Sequence, residues 1–221
     1  MKIVPAILPK DFAELEEKIE LIHGAVNAVQ VDICDGKFVS SSTWPYKKHD
    51  ENFESILREE RGMPAWEDID YEFDLMISNP SEDDARTWIS AGAARVILHI
   101  ESSSDLTPVL KILHGLVEIG IALNIDTPVS DLLKYKEYIQ VVQCMGIRRI
   151  GYQGEAFDER VLSKIREVKE VLPDVPVSVD GGVSLDTITL LKEAGVDTVI
   201  VGSTIFSSDD IIHTIAELKR S

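Results

Sequence analysis

Apolar residues along this chain follow two alternating patterns. Short runs rich in Val, Ile and Leu give way to longer stretches whose apolar positions recur at helical spacing. Such an alternation predicts parallel strands joined by helical crossovers. The strand candidates are 3–8, 28–33, 70–77, 94–100, 121–125, 141–147, 175–180 and 198–203. Helix candidates lie near 11–23, 51–60, 81–91, 105–119, 130–138, 157–171, 184–194 and 207–219. Asp11 before Glu14, and Ser81 before Asp84, each place a capping side chain three residues ahead of an acid. Gly92, Gly120 and Gly195 sit where helical runs are expected to stop.

Eight such units in 221 residues predict one closed TIM (β/α)₈ barrel domain over 1–221, with an open doubly wound sheet as the alternative. One connection breaks the rhythm. A long insertion at about 40–69, carrying Trp44, Tyr46 and Trp66, is expected on the barrel rim as a lid or partner surface.

Charge narrows the partners. A formal net charge of −17 argues against nucleic acid and against anionic membrane surfaces. No apolar run approaches the roughly 18 residues of a membrane span. The first residues enter a strand candidate directly, without signal-peptide layout, so a cytoplasmic location is expected. Cys34 and Cys144, at the ends of different strand candidates, read as free thiols in a reducing compartment.

Two aspartates carry the candidate chemistry. Asp32 ends an apolar run in Val31-Asp32-Ile33-Cys34-Asp35-Gly36, and Asp180 ends another in Val179-Asp180-Gly181-Gly182. In a parallel barrel both converge on the C-terminal rim, where such barrels do their chemistry. Facing carboxylates can take a proton from one side of a carbon and return it to the other, which outlines an epimerase. The last two turns contain Gly181-Gly182 and Gly202-Ser203-Thr204. Glycines let the backbone approach an anion, and helix starts aim N–H groups at it, so these turns predict a phosphate site without lysine. The plainer reading is that the glycines only make tight turns. Arg148 and Arg149, closing the sixth strand candidate, either grip phosphate or form an exposed pair balanced by acids. Trp44 and Tyr46 either close over a sugar or make subunit contacts. Schiff-base chemistry needs a lysine at a strand end, and no strand candidate has one.

Several motifs occur together in order: Pro5-Ala6-Ile7-Leu8 with Asp11-Phe12, Val31 to Val39, Leu75-Met76-Ile77 with Asn79-Pro80, His99-Ile100-Glu101, and Leu123-Asn124 with Thr127-Pro128. Met145-Gly146, Val179 to Val183 and Gly202 to Phe206 complete the set. This series resembles the ribulose-phosphate 3-epimerase family of the ribulose-phosphate-binding barrels. The resemblance implies interconversion of ribulose 5-phosphate and xylulose 5-phosphate through an enediolate. It implies Asp32 and Asp180 as acid and base, both also binding a divalent metal drawn from Mn, Mg, Zn or Fe. It further implies that Gly154, Gly181, Gly182, Gly202 and Ser203 contact a phosphorylated sugar, with no organic cofactor, and that the chain forms a homo-oligomer.

The departures are local. The family's two metal-binding histidines are here Gln30 and Asp74, a substrate-contacting serine is Ala6, and the loop Gly-Phe-Gly-Gly-Gln is Gly151-Tyr152-Gln153-Gly154-Glu155. Taken as ligands, Gln30, Asp32, Asp74 and Asp180 form an all-oxygen set, which suits magnesium, manganese or calcium better than zinc or iron. Gln30 also reads as an amide orienting Asp32, Asp74 as a hydrogen-bonded rim carboxylate, and His99 as a packed histidine. The leading expectation is a pentulose-phosphate epimerase. The alternatives are a non-catalytic or repurposed phosphosugar-binding barrel and a ketose–aldose isomerase.

Overall fold

The computed structural model describes all 221 residues. Eight parallel strands close into a barrel in sequence order: β1 (Lys2–Ile7), β2 (Ala28–Cys34), β3 (Asp70–Met76), β4 (Ala93–His99), β5 (Glu118–Leu123), β6 (Val141–Met145), β7 (Val177–Asp180) and β8 (Thr198–Val201), with β8 pairing back to β1. Around it run α1 (Phe12–Ile22), α2 (Glu51–Leu57), α3 (Glu82–Ser90), α4 (Thr107–Leu113), α5 (Arg160–Val171), α6 (Ile188–Ala194), α7 (Ser203–Phe206) and α8 (Ile211–Arg220). The (β/α)₈ architecture is the one its hydrophobic pattern predicts.

Alternation along each strand sorts side chains between two environments. Val29, Val31 and Ile33 of β2 and Tyr71, Phe73 and Leu75 of β3 join the main apolar core. The intervening Gln30, Asp32, Glu72 and Asp74 are buried as well, on the opposite side of their strands. The barrel interior is therefore polar near both ends. At the N-terminal end Arg95 Nη1 donates to Glu72 at 2.6 Å and Arg95 Nη2 to Glu118 at 2.7 Å. Above this network Ile97 fills the barrel so closely that a Cβ on Gly120 would lie 2.9 Å from its Cγ1.

That contact corrects one expectation. Gly120 lies inside β5 and is not a helix stop; α4 ends at Leu113 and its left-handed glycine is Gly115, at φ +77°. Leu116 and Val117, apolar enough to extend the predicted helix 105–119, instead lead into β5, which Glu118 and Ile119 begin. The predicted helix 130–138 is a 3₁₀ segment, Val129–Tyr135. Its buried Val129, Leu132 and Tyr135 fall three apart, the repeat of a 3₁₀ turn. The predicted helix 207–219 is α8, shortened at its start, where Asp210 accepts from the His213 N–H. Start signals behave as read: Asp11 accepts from Glu14 N–H, and Ser81 with Asp84 forms a reciprocal capping box.

The insertion 40–69 starts on the C-terminal rim and finishes at the other end of the barrel. Its helix α2 buries Phe53 and Ile56, and Trp44 packs between Phe12 and Phe53 with ring centroids at 5.5 and 5.1 Å. Tyr71, near the start of β3, donates its hydroxyl proton to the Pro64 carbonyl at 2.6 Å. Trp44 is thus a core residue and Tyr46 reaches Asp84 at 3.2 Å, so neither lines the central pocket.

Candidate active site

Register brings the polar groups together. Asp32 on β2 lies level with Asp74 on β3. Thr43 fixes the end of β2, donating to the Asp32 carbonyl and accepting from Cys34 N–H, both at 2.8 Å. Asp35 then accepts from Lys37, Phe38 and Ser78 N–H groups, tying the β2 and β3 rim loops together. Carboxylate oxygens of Asp32, Asp74 and Asp180 lie within 4.8 Å of one another. Gln30, two residues before Asp32 on the same strand face, donates its amide to Asp32 Oδ1 and to Asp180 Oδ2, each at 2.9 Å.

Asp74 is held from its far side. Gln143 of β6 donates to Asp74 Oδ2 at 3.1 Å. His99 Nε2 stands 3.1 Å from Asp74 Oδ1 without the alignment of a hydrogen bond, and its ring packs on Phe38 at 5.3 Å. Glu101 is anchored by Asn124 N–H and the Thr127 hydroxyl, its second oxygen 3.9 Å from His99 Nδ1. Gln143 and Thr43 were not among the sequence-predicted residues. Gln143 could have been found as the polar member of an otherwise apolar strand run. Thr43, in a loop, left no periodic signal.

Crowded, desolvated carboxylates resist ionisation. Burial first, then Asp180 and Asp74, hold Asp32 well above the usual carboxylate range. Burial and then Asp74 raise Asp180 too. For His99, burial is the largest influence and opposes the charge, but Asp74 and Glu101 outweigh it, so the imidazole titrates above its ordinary value.

One pocket joins these acids to the glycine turns. Asp32 and Asp180 line it together with Gly154, Gly181, Gly182, Gly202 and Ser203. Gly181 and Gly182 take φ values of +96° and +70°, and Thr204 Oγ1 donates to the Val183 carbonyl at 2.6 Å, binding one turn to the other. From the β6 loop, Gln153 reaches across to the Ala6 carbonyl at 3.3 Å and crowds Gly202. Arg148 and Arg149 are not turned to this pocket. They are exposed and pair with Asp158 and Glu155, with Arg149 also over the Tyr152 ring at 4.4 Å.

Comparison with known proteins agrees with this arrangement. Residues 2–206 match the model of the ribulose-phosphate 3 epimerase family. The chain belongs to the ribulose-phosphate 3-epimerase family. A relative named ribulose-phosphate 3-epimerase from Mycobacterium bovis is 31% identical over 223 residues, covering 99% of this chain and 91% of its own. Another of that name from Bacillus subtilis is 29% identical, covering 100% and 99%. Among solved structures, 3-hexulose-6-phosphate synthase from Salmonella typhimurium superposes with a TM-score of 0.74 at 14% identity, covering 100% of this chain and 97% of its own. KGPDC from Streptococcus mutans in complex with D-R5P gives 0.73 at 16%, covering 99% and 95%. These two share the fold.

This epimerase-family chain also has a centre whose chemistry fits a divalent cation. Three carboxylates converge there, and Gln30 Oε1 and one oxygen of that set, Asp74 Oδ1, are buried acceptors without a hydrogen-bond donor. Buried acceptors demand a partner, and a hard cation is one that oxygen donors satisfy. No helix is long and apolar enough to cross a membrane. Both cysteines are free and buried, and burial pushes each thiol to about 12.

Proposed function

We propose that this chain interconverts ribulose 5-phosphate and xylulose 5-phosphate, with Asp32 and Asp180 as the acid/base pair. The observation that carries this reading is that Asp32 and Asp180, bridged by the Gln30 amide at 2.9 Å each, both line the pocket that contains the glycine turns. One carboxylate, ionised, removes the proton from the carbon beside the ketone, and the electron pair moves into an enediolate. The other, kept protonated by its raised pKa, delivers a proton to the opposite face. Before any cation binds, the Gln30 amide sets the spacing of the two carboxyl groups. Gly154, Gly181, Gly182, Gly202 and Ser203 bind the phosphate through the backbone at the far end of the pocket. Asp32, Asp74, Asp180 and Gln30 would hold a divalent cation, which supplies electrostatic stabilisation of the enediolate oxygen when bound.

The test is an epimerisation assay on ribulose 5-phosphate with the wild type, Asp32→Asn and Asp180→Asn. Each substitution is expected to lower kcat by roughly 10²–10⁴-fold, the usual worth of a positioned acid or base. Full activity in either variant overturns the mechanism. Wild-type protein that binds the sugar phosphate without turnover would instead be a phosphosugar-binding barrel.

A further inference from the structure

We propose that Gln30, Asp32, Asp74 and Asp180 form an all-oxygen centre that binds hard divalent cations, Mg²⁺ or Mn²⁺, without a strong preference for Zn²⁺, with the Gln30 carboxamide as one of its ligands. The purpose of such a centre rests on the epimerase reading above; its ligand preference does not. Every candidate donor is oxygen, because the imidazole in this neighbourhood, His99, stands behind Asp74 with its Nε2 on Asp74 Oδ1 at 3.1 Å. Gln143 fixes the other oxygen of Asp74, an outer contact of the kind that orients metal ligands. Preference for Zn²⁺ over Mn²⁺ grows with nitrogen and sulfur donors, so an oxygen set narrows it.

Gln30 supplies the second part. Its amino group bridges Asp32 Oδ1 and Asp180 Oδ2, which keeps two ligands in place before any cation arrives. Its carbonyl oxygen is fully buried and lacks a donor. The two ends of a carboxamide have nearly the same shape. An end-for-end turn would therefore present Oε1 to the same two carboxylates, an arrangement of mutually repelling oxygens that only a cation between them stabilises.

Metal-stripped full-length protein is titrated calorimetrically with MnCl₂, MgCl₂ and ZnCl₂, and bound Mn²⁺ is followed by EPR during Zn²⁺ competition. Mn²⁺ and Zn²⁺ affinities are expected within about tenfold of each other in the wild type, with the Q30H/D74H double variant shifted at least about tenfold toward Zn²⁺. Zn²⁺ binding more than about tenfold tighter in the wild type overturns the proposal. So does an unshifted double variant, or the absence of binding by all three cations. Should the double variant not fold, the wild-type ratio alone decides. Epimerisation is measured in parallel with EDTA present. Turnover by protein that binds none of the three cations leaves the epimerase reading standing and removes this one; cation binding with the expected ratio but no turnover does the reverse.

Discussion

Asp180 shows what burial does to a single carboxyl group in this barrel. Burial and the neighbouring Asp74 raise its pKa from 3.8 to about 7, so the folded state favours its protonated form. That stabilisation is fully present below the unfolded carboxylate range and is lost as pH rises through about 7. Asp32 and His99 are also raised and act with the same sign. Asp158 and Asp197 are lowered, and their contributions disappear only in acid, outside this window. Metal-stripped protein is therefore expected to melt at a lower temperature near pH 8 than near pH 5, and Asp180→Asn to flatten that slope, since about 1.4 kcal/mol accompanies each pKa unit. Thermal melts across this pH range check it. An equal slope in the variant would mean that Asp180 is not the group responsible.

The rim turns depend on glycines whose requirement is steric. A Cβ on Gly182 would lie 2.7 Å from the Phe157 Cα, and the residue already has φ +70°. Gly182→Ala is expected to destabilise the protein by about 1–3 kcal/mol and to weaken sugar-phosphate binding, read by denaturant melts and by KM. Unchanged KM would separate this turn from the phosphate. The eight strands were legible because each is an apolar run of the right length, and Asp32 and Asp180 because each ends one. Helix limits were less so. At 114–120 the stop is carried by Gly115, while apolar residues on both sides of it imitate a continuous helix. At 129–135 the apolar positions repeat every three residues, which over two turns resembles a repeat of 3.6. The orientation of Arg148 and Arg149 was not legible because acids of the following loop, Asp158 and Glu155, decide it.

For the molecule as a whole, 39 acidic residues against 22 basic ones leave most surface charge of one sign. Such self-repulsion weakens the compact state and is screened by salt over about 10 Å at 0.1 M. Raising NaCl is expected to raise the melting temperature, and a fall would point instead to ion pairs such as Arg160–Asp158 as the larger influence. The Arg95 network at the N-terminal end has a different reach. With Arg95 clasped between Glu72 and Glu118, and Ile97 filling the space above Gly120, the barrel is a cup and not a pipe. Hydrogen isotope from bulk water then has a single mouth through which to reach Asp32 and Asp180. If Asp32 and Asp180 move the proton as proposed, the loops around that mouth set how often label washes into product.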